Sequence, residues 1–385
     1  MTRFVRNIFF SALLILTASV PVFSQRLGFS GYGDLALDFP VGFQLMESSK
    51  DGSSFELKST VLPVTCIIKI YPSSRYATSK DALDSSLKAL SAEYETEEFE
   101  WRNQTSAISS FNTTLNRQRI LGYGISSVLP EKKGTVVMLA WSPVNQFELS
   151  ETYILSFLDS LLIDEGCYFE AGPVTSYLFP KSEKRVDVKL EIDGKKIATT
   201  LSENDREAAD YLIAREYDIL KLYMTNANWK KAWQRYYRMI FKDSYNRLWR
   251  ASFDIYNELA PSAADETDLA QKILTWTQGF KYERESSTSD FTSLPAVLMG
   301  EGNDCDSRSM LIAIFLTAWN QDAIMLVSAE LSHAMPAFTS DHPGHSFTYD
   351  GKKYLMGETT AKGQTWGKID ATQDDQRKWL EVMFP

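Results

Sequence analysis

The amino-acid sequence predicts an α+β protein, and three observations carry that reading. Apolar residues alternate with polar ones in stretches such as SSFELKST and VTCIIKI, which is the period of a half-buried strand. Elsewhere the period becomes that of a helix: Ala82, Leu83, Leu87 and Leu90 recur on one face, as do Ile154, Leu155, Phe157, Leu158 and Leu161. The dipeptides Asp193-Gly194 and Asp350-Gly351 each sit between two strand-like runs, where a tight hairpin needs residues that accept positive φ.

The chain opens on a leader. Arg3 and Arg6 precede a short apolar run from Ile8 to Val20, and Val22 and Ser24 occupy the positions a signal peptidase reads. Residues 1–24 are therefore expected to be a signal peptide, cut after Ser24. The run is shorter than the roughly 20 residues a spanning helix needs, and no second one follows. An exported protein is expected, periplasmic or extracellular, with no stable membrane span after cleavage. The formal net charge of −10 argues against a nucleic-acid partner, which calls for a basic surface.

Residues 25–165 read as one α+β domain. LALDFPVGFQLM, SSFELKST and TCIIKIY are strand-like, and SKDALDSSLKALSAEY is a helix with Ser79 as its cap. RQRILGYGISSVLP and GTVVMLAWSP follow as strands, and a helix over Ser150–Leu161 closes the block. This order resembles the PsbP/Mog1-like α/β sandwich, which implies an adaptor or binding role toward a partner in the cell envelope. Cys66 alternates with Val64, Ile68 and Ile70 and reads as a small buried hydrophobe, although a pairing with Cys167 stays open.

Residues 166–262 read as a connector made of a hairpin and helices. VDVKLEIDGKKIATTL turns at Asp193-Gly194, and a helix starts at Ser202 with Asp205 as a shortened capping box. A long helix then runs from Asn228 towards Pro261. Between Asn228 and Arg250 it carries seven basic residues and one acid, interleaved with aromatics. That pattern suits an anionic surface. The helical spacing of the aromatics favours a packed stripe with the cations in water.

Residues 263–385 carry the chemistry. All three histidines, His333, His342 and His345, lie in one stretch of thirteen positions downstream of Cys305. Asn303 or Asp304 caps a helix, which puts Cys305 in its first turn. There the helix dipole lowers a thiol pKa, while Asp304 and Asp306 push the other way, so an imidazolium is needed to complete the activation. The N–H groups of the same turn suit an oxyanion. A histidine at the start of the strand at His333, or one at His345 before the next hairpin, supplies the base, and Glu358 the carboxylate that orients it.

These residues resemble the transglutaminase-like superfamily, the papain-like thiol enzymes with a Cys-His-Asp order. The resemblance rests on Asn303-Asp304-Cys305-Asp306 after Gly302, on His333-Ala334-Met335 at a strand start, and on Glu358-Thr359-Thr360. The helix with Trp276 that ends in Phe280-Lys281-Tyr282 matches the one before the family's cysteine. The resemblance implies a papain-like core, with a cysteine helix packed on an antiparallel sheet. It implies a hydrolase acting on a peptide or protein amide, with Cys305 as nucleophile, His333 as base and Glu358 as its orienting acid. Glu stands where Asp is commoner. His345 is the alternative base and Gln278 a further oxyanion donor. No cofactor and no metal is expected. The competing expectation is a catalytically inactive scaffold or binding protein on the same fold.

Overall fold

A computed structural model of the chain describes residues 26–284 and 289–385, so the expected signal peptide lies outside the described residues. The chain forms two compact units, one up to Asp164 and one from Glu165 to Pro385. It is mixed α+β.

In the first unit, β1 (Leu27–Gly28) and β2 (Ala36–Leu37) open the chain. A seven-stranded antiparallel sheet follows: β3 (Phe43–Ser48), β4 (Ser54–Ser59), β5 (Thr65–Tyr71), β6 (Glu93–Trp101), β7 (Gln104–Leu115), β8 (Gln118–Leu129) and β9 (Gly134–Pro143), in the spatial order β3-β4-β5-β9-β8-β7-β6. Between β5 and β6 runs α1 (Ser79–Ala89), whose Leu83 and Leu87 pack with Phe111, Leu139 and Trp141 of the sheet. After β9, α2 (Phe147–Asp159) stacks Tyr153 on Phe43 and packs Phe157 against it at a tilt, and β10 (Leu161–Leu162) pairs back with β2.

Two expectations are corrected here. The helix expected through Tyr94 stops at Ala89, and its cap is Thr78, whose hydroxyl accepts the Asp81 N–H at 3.0 Å. The chain then makes the β6–β7 hairpin, with Arg102 and Asn103 at positive φ in its turn. Strand β6 is an edge carrying Glu93, Glu95, Glu97 and Glu98 on exposed positions. Charge on an edge blocks further pairing, and it also hides the strand's apolar alternation from a sequence reading.

The second unit opens with α3 (Pro173–Leu178) and the hairpin β11 (Arg185–Ile192) and β12 (Lys195–Ser202). Asp193 and Gly194 hold its turn with φ of 51° and 73°. Helix α4 (Asp205–Lys221) starts three residues later than expected, because Ser202 still belongs to β12 and donates its N–H to the Asp205 carboxylate at 2.7 Å. Helices α5 (Trp229–Leu259), α6 (Glu266–Gln278), α7 (Leu294–Leu298) and α8 (Cys305–Ala318) follow. The last strands, β13 (Ala323–Ser328), β14 (His333–Thr339), β15 (Ser346–Tyr349), β16 (Lys352–Met356) and β17 (Leu380–Met383), form an antiparallel sheet ordered β15-β16-β14-β13-β17.

Helix α8 is the centre of this unit. Met310, Leu311, Ile312, Ala313, Ile314 and Phe315 are all buried, so it has no polar face along that run. One sheet face, with Met325, Val327, Ala334 and Phe338, joins the core around α8. The other face, with Met335, Ala337, Tyr354 and Met356, is closed by Trp379. Residues of the hairpin and of α5 lie in the same core as α8. The cations of α5 are largely matched within the fold: Arg235 meets Glu216 at 2.6 Å, and Arg247 meets Asp243 at 2.8 Å and Asp205 at 3.1 Å. Cys66 and Cys167 are fully buried thiols. Among the described residues, no helix is long and apolar enough to cross a membrane.

Candidate active site

Asp304 has the extended backbone of an N-cap, and its Oδ1 accepts the Ser307 N–H at 3.1 Å and the Ser307 hydroxyl at 3.0 Å. That cap makes Cys305 the first helical residue, where an α-helix has N–H groups without intrahelical partners. The thiol is 3% exposed. It donates to Asp306 Oδ1 at 3.6 Å, and it shares its buried core with Ala334, the residue after His333. Asp306 in turn accepts the Tyr237 hydroxyl of α5 at 2.7 Å through its Oδ2.

The opposition of Asp304 and Asp306 to the helix start is present as expected, and burial, which the sequence did not reveal, adds to it. Burial is the largest influence and pushes its pKa up; the Asp306 and Asp304 carboxylates push it further, and the Ala334 N–H pulls it down by less. Burial and Asp306 likewise hold Asp304 up, to about 7. The resting thiol is therefore neutral, because desolvation and two adjacent acids outweigh the dipole of one helix start.

His333 and Glu358 meet directly, with Nε2 and Oε2 2.9 Å apart. Glu358 is 4% exposed and every acceptor direction is used. Its Oε1 takes the Thr360 N–H at 2.7 Å and hydroxyl at 2.6 Å, and its Oε2 also takes the Gln373 amide at 2.9 Å. Burial alone would raise its pKa; the hydrogen bond and charge of His333 and the two Thr360 donors win, and hold it at about 2. Because the carboxylate occupies Nε2, Nδ1 is the nitrogen available to take a proton. The ring lies 6.2 Å from that of Trp379, on the side of the sheet that carries Met335.

The other named residues lie elsewhere. His345 precedes the outer strand β15, with β16 between it and β14; its Nδ1 pairs with Asp374 at 2.7 Å and its side chain is 45% exposed. Its loop is pinned by Gly344 and Gly367, both at positive φ and packed backbone to backbone so closely that a Cβ at either would collide. His342 pairs with Asp265 at 3.3 Å on the surface. Gln278 is not an oxyanion donor in this arrangement. Its amide N–H groups go to the carbonyls of Glu358 at 2.8 Å and Gln364 at 3.0 Å, and its oxygen accepts the Gly363 N–H at 3.0 Å. It braces the loop after the carboxylate instead.

Sequence reasoning missed Arg308 and Gln373. Arg308 is 1% exposed and donates to Asn303 Oδ1 at 2.8 Å, the Thr359 carbonyl at 3.1 Å and the Phe280 carbonyl at 3.0 Å. It thus ties the cysteine helix to the loop bearing Glu358. Its place in α8, one turn after Cys305 amid apolar residues, was the available signal: a lone cation there must be paired. Gln373 follows Asp370 by three residues, and its Oε1 accepts the Asp370 N–H at 2.9 Å in a capping box. Nothing local in the sequence links it to Glu358.

No family model matches the chain, and no curated protein matches it. Solved structures do. The chain is similar to the Ran-binding protein Mog1p of Saccharomyces cerevisiae, at 12% identity over 36% of this chain and 94% of that one, with a TM-score of 0.29. It is similar to the cyanobacterial PsbP of Synechocystis sp. PCC 6803, at 13% identity over 39% of this chain and 99% of that one, with a TM-score of 0.30. It is also similar to a protein of Bacteroides thetaiotaomicron VPI-5482, at 10% identity over 83% of this chain and 84% of that one, with a TM-score of 0.24. The Mog1 and PsbP matches each cover less than half of this chain. None of these matches bears on the transglutaminase-like resemblance or on a residue of the site.

Proposed function

We propose that this protein is an exported, transglutaminase-like cysteine hydrolase, a protease or amidase built on a papain-like core. The observation that carries the reading is the His333–Glu358 pair at 2.9 Å, at the start of the strand whose Ala334 lies in the same buried core as Cys305. In the proposed reaction Sγ attacks the amide carbonyl carbon as Nδ1 of His333 takes the thiol proton. His333 then delivers that proton to the leaving amine, and water hydrolyses the thioester. Glu358 fixes the imidazole tautomer and supports its charge. The Cys305 N–H at the helix start is a donor for the oxyanion. Because the resting thiol is neutral, proton transfer accompanies attack rather than preceding it, and Nδ1 must come within hydrogen-bond reach of the sulfur.

A second reading, a catalytically inactive scaffold, is favoured by one observation: burial and two carboxylates oppose the thiolate. Acyl transfer from p-nitrophenyl acetate separates the two. The expected outcome is acetylation of Cys305, found by peptide mapping. It should slow about 10²–10⁴-fold in His333→Ala, where the general base is lost, and stay unchanged in His345→Ala. Acetylation at the same rate in wild type and His333→Ala, or none at all, would establish the scaffold. Slowing in His345→Ala alone would move the base to the other histidine.

A further inference from the structure

Three consecutive side chains at the start of α8 converge. A carboxylate oxygen of Asp304, the sulfur of Cys305 and a carboxylate oxygen of Asp306 all lie within 4.8 Å of one another. They meet because Asp304 is extended, with φ −106° and ψ −172°, while the next residue already begins the helix. Two acids around one thiol are an odd setting for a nucleophile, since they oppose the charge it must acquire.

A second observation points to a ligand. Asp304 is 1% exposed. Its Oδ1 is committed to the Ser307 N–H and hydroxyl, but its Oδ2, equally buried, has no hydrogen-bond partner. A buried carboxylate oxygen without a donor is costly and calls for a partner. Asp306 is oriented from outside by the Tyr237 hydroxyl at 2.7 Å, as metal-binding carboxylates commonly are.

We infer that Asp304, Cys305 and Asp306 form a binding site for a thiophilic divalent cation of the zinc class. The donor set selects the class: sulfur with carboxylate oxygen suits zinc, whereas magnesium and calcium take oxygen alone. Donors on a tetrahedral zinc sit roughly 3.3–3.8 Å apart, so a small closing of these side chains is sufficient, with water completing the shell. On binding, the S–H bond is replaced by a sulfur–metal bond and the proton passes to solvent. The site itself does not depend on the hydrolase reading. Its consequence does: a bound cation occupies the sulfur, so the same centre switches from nucleophile to metal ligand.

Cadmium is the probe, because a thiolate bound to Cd²⁺ absorbs in the ultraviolet. Titration of the full chain should give that band with one Cd²⁺ per chain. Zn²⁺ should displace it and Mg²⁺ should not. Cys305→Ser should abolish it, since among the described residues Cys66 and Cys167 belong to no such cluster of ligating side chains. Asp304→Asn keeps an oxygen for the Ser307 cap and should weaken binding about tenfold or more. No band at stoichiometric Cd²⁺ overturns the site; so does undiminished affinity in both Asp304→Asn and Asp306→Asn, which would mean the thiol binds alone. The measurement reads metal only, so its failure leaves acetylation of Cys305 intact, and the converse failure leaves the band.

Discussion

Glu358 shows how much one buried carboxylate is asked to do. It is held at about 2 against an ordinary value of 4.5, because His333 and Thr360 favour its charged form more than burial disfavours it. The folded chain thus binds this proton more weakly than the unfolded chain does. The stabilisation is complete above 4.5 and drains away as the pH falls towards 2. Its size is on the order of 3 kcal/mol. Denaturant unfolding across that window should show wild type losing stability steeply with acid. Glu358→Gln should be less stable near neutrality and should lose less on acidification. Equal acid slopes in the two proteins would mean that the pair is not the source. The carboxylate was legible in the sequence from its place before Thr359-Thr360, and His333 was its expected partner, with His345 open as the alternative. Two histidines stood at plausible distances along the chain, and only the β13–β14–β16 pairing decides that His333, not His345, faces it.

At the scale of elements, what the sequence revealed follows a physical rule. Helix α8, strands β13 and β14 and the β15–β16 hairpin were readable because local pattern and burial agree in them. Cys305 was readable because Asp304 is a strong cap directly before an apolar run. The acidic edge strand β6 was not, since its charges answer to the sheet edge rather than to its own period. Nor was the segment 370–383. Its residues look like a polar tail, yet Trp379 closes one sheet face with Met335, and Gln373 holds Glu358 at 2.9 Å. That segment works as a clamp on the carboxylate. Gln373→Ala leaves a buried charged oxygen with one donor fewer, which should cost about 1–3 kcal/mol. It should also lower the rate of Cys305 acetylation, whereas Gln376→Ala, on the same segment but bonded to Ser346 and Thr348, should not. Equal rates in the two variants would remove the clamp from the mechanism.

At the scale of the molecule, the question is how much chain the site needs. The sequence suggested that chemistry begins near residue 263, after a connector. The core says otherwise about folding: Tyr236, Tyr237, Ile240, Phe241, Leu248 and Ile255 of α5 are buried together with α8 and β14. Phe241 stacks on Phe384 at 4.1 Å between ring centres, and Gln234 donates to the Glu381 carbonyl at 2.7 Å. Tyr237 also reaches Asp306 beside the thiol. Burying six such side chains amounts to roughly 9–18 kcal/mol, comparable with the roughly 5–15 kcal/mol net stability of a typical domain. A fragment of residues 263–385 should therefore fail to fold cooperatively, while residues 165–385, which hold this whole core and the Tyr237 that bonds Asp306, should unfold in a single transition. Circular dichroism melts of the two fragments check this. A cooperative melt from the shorter one would show that α5 is dispensable to the core, and would remove Tyr237 from any necessary part in the site.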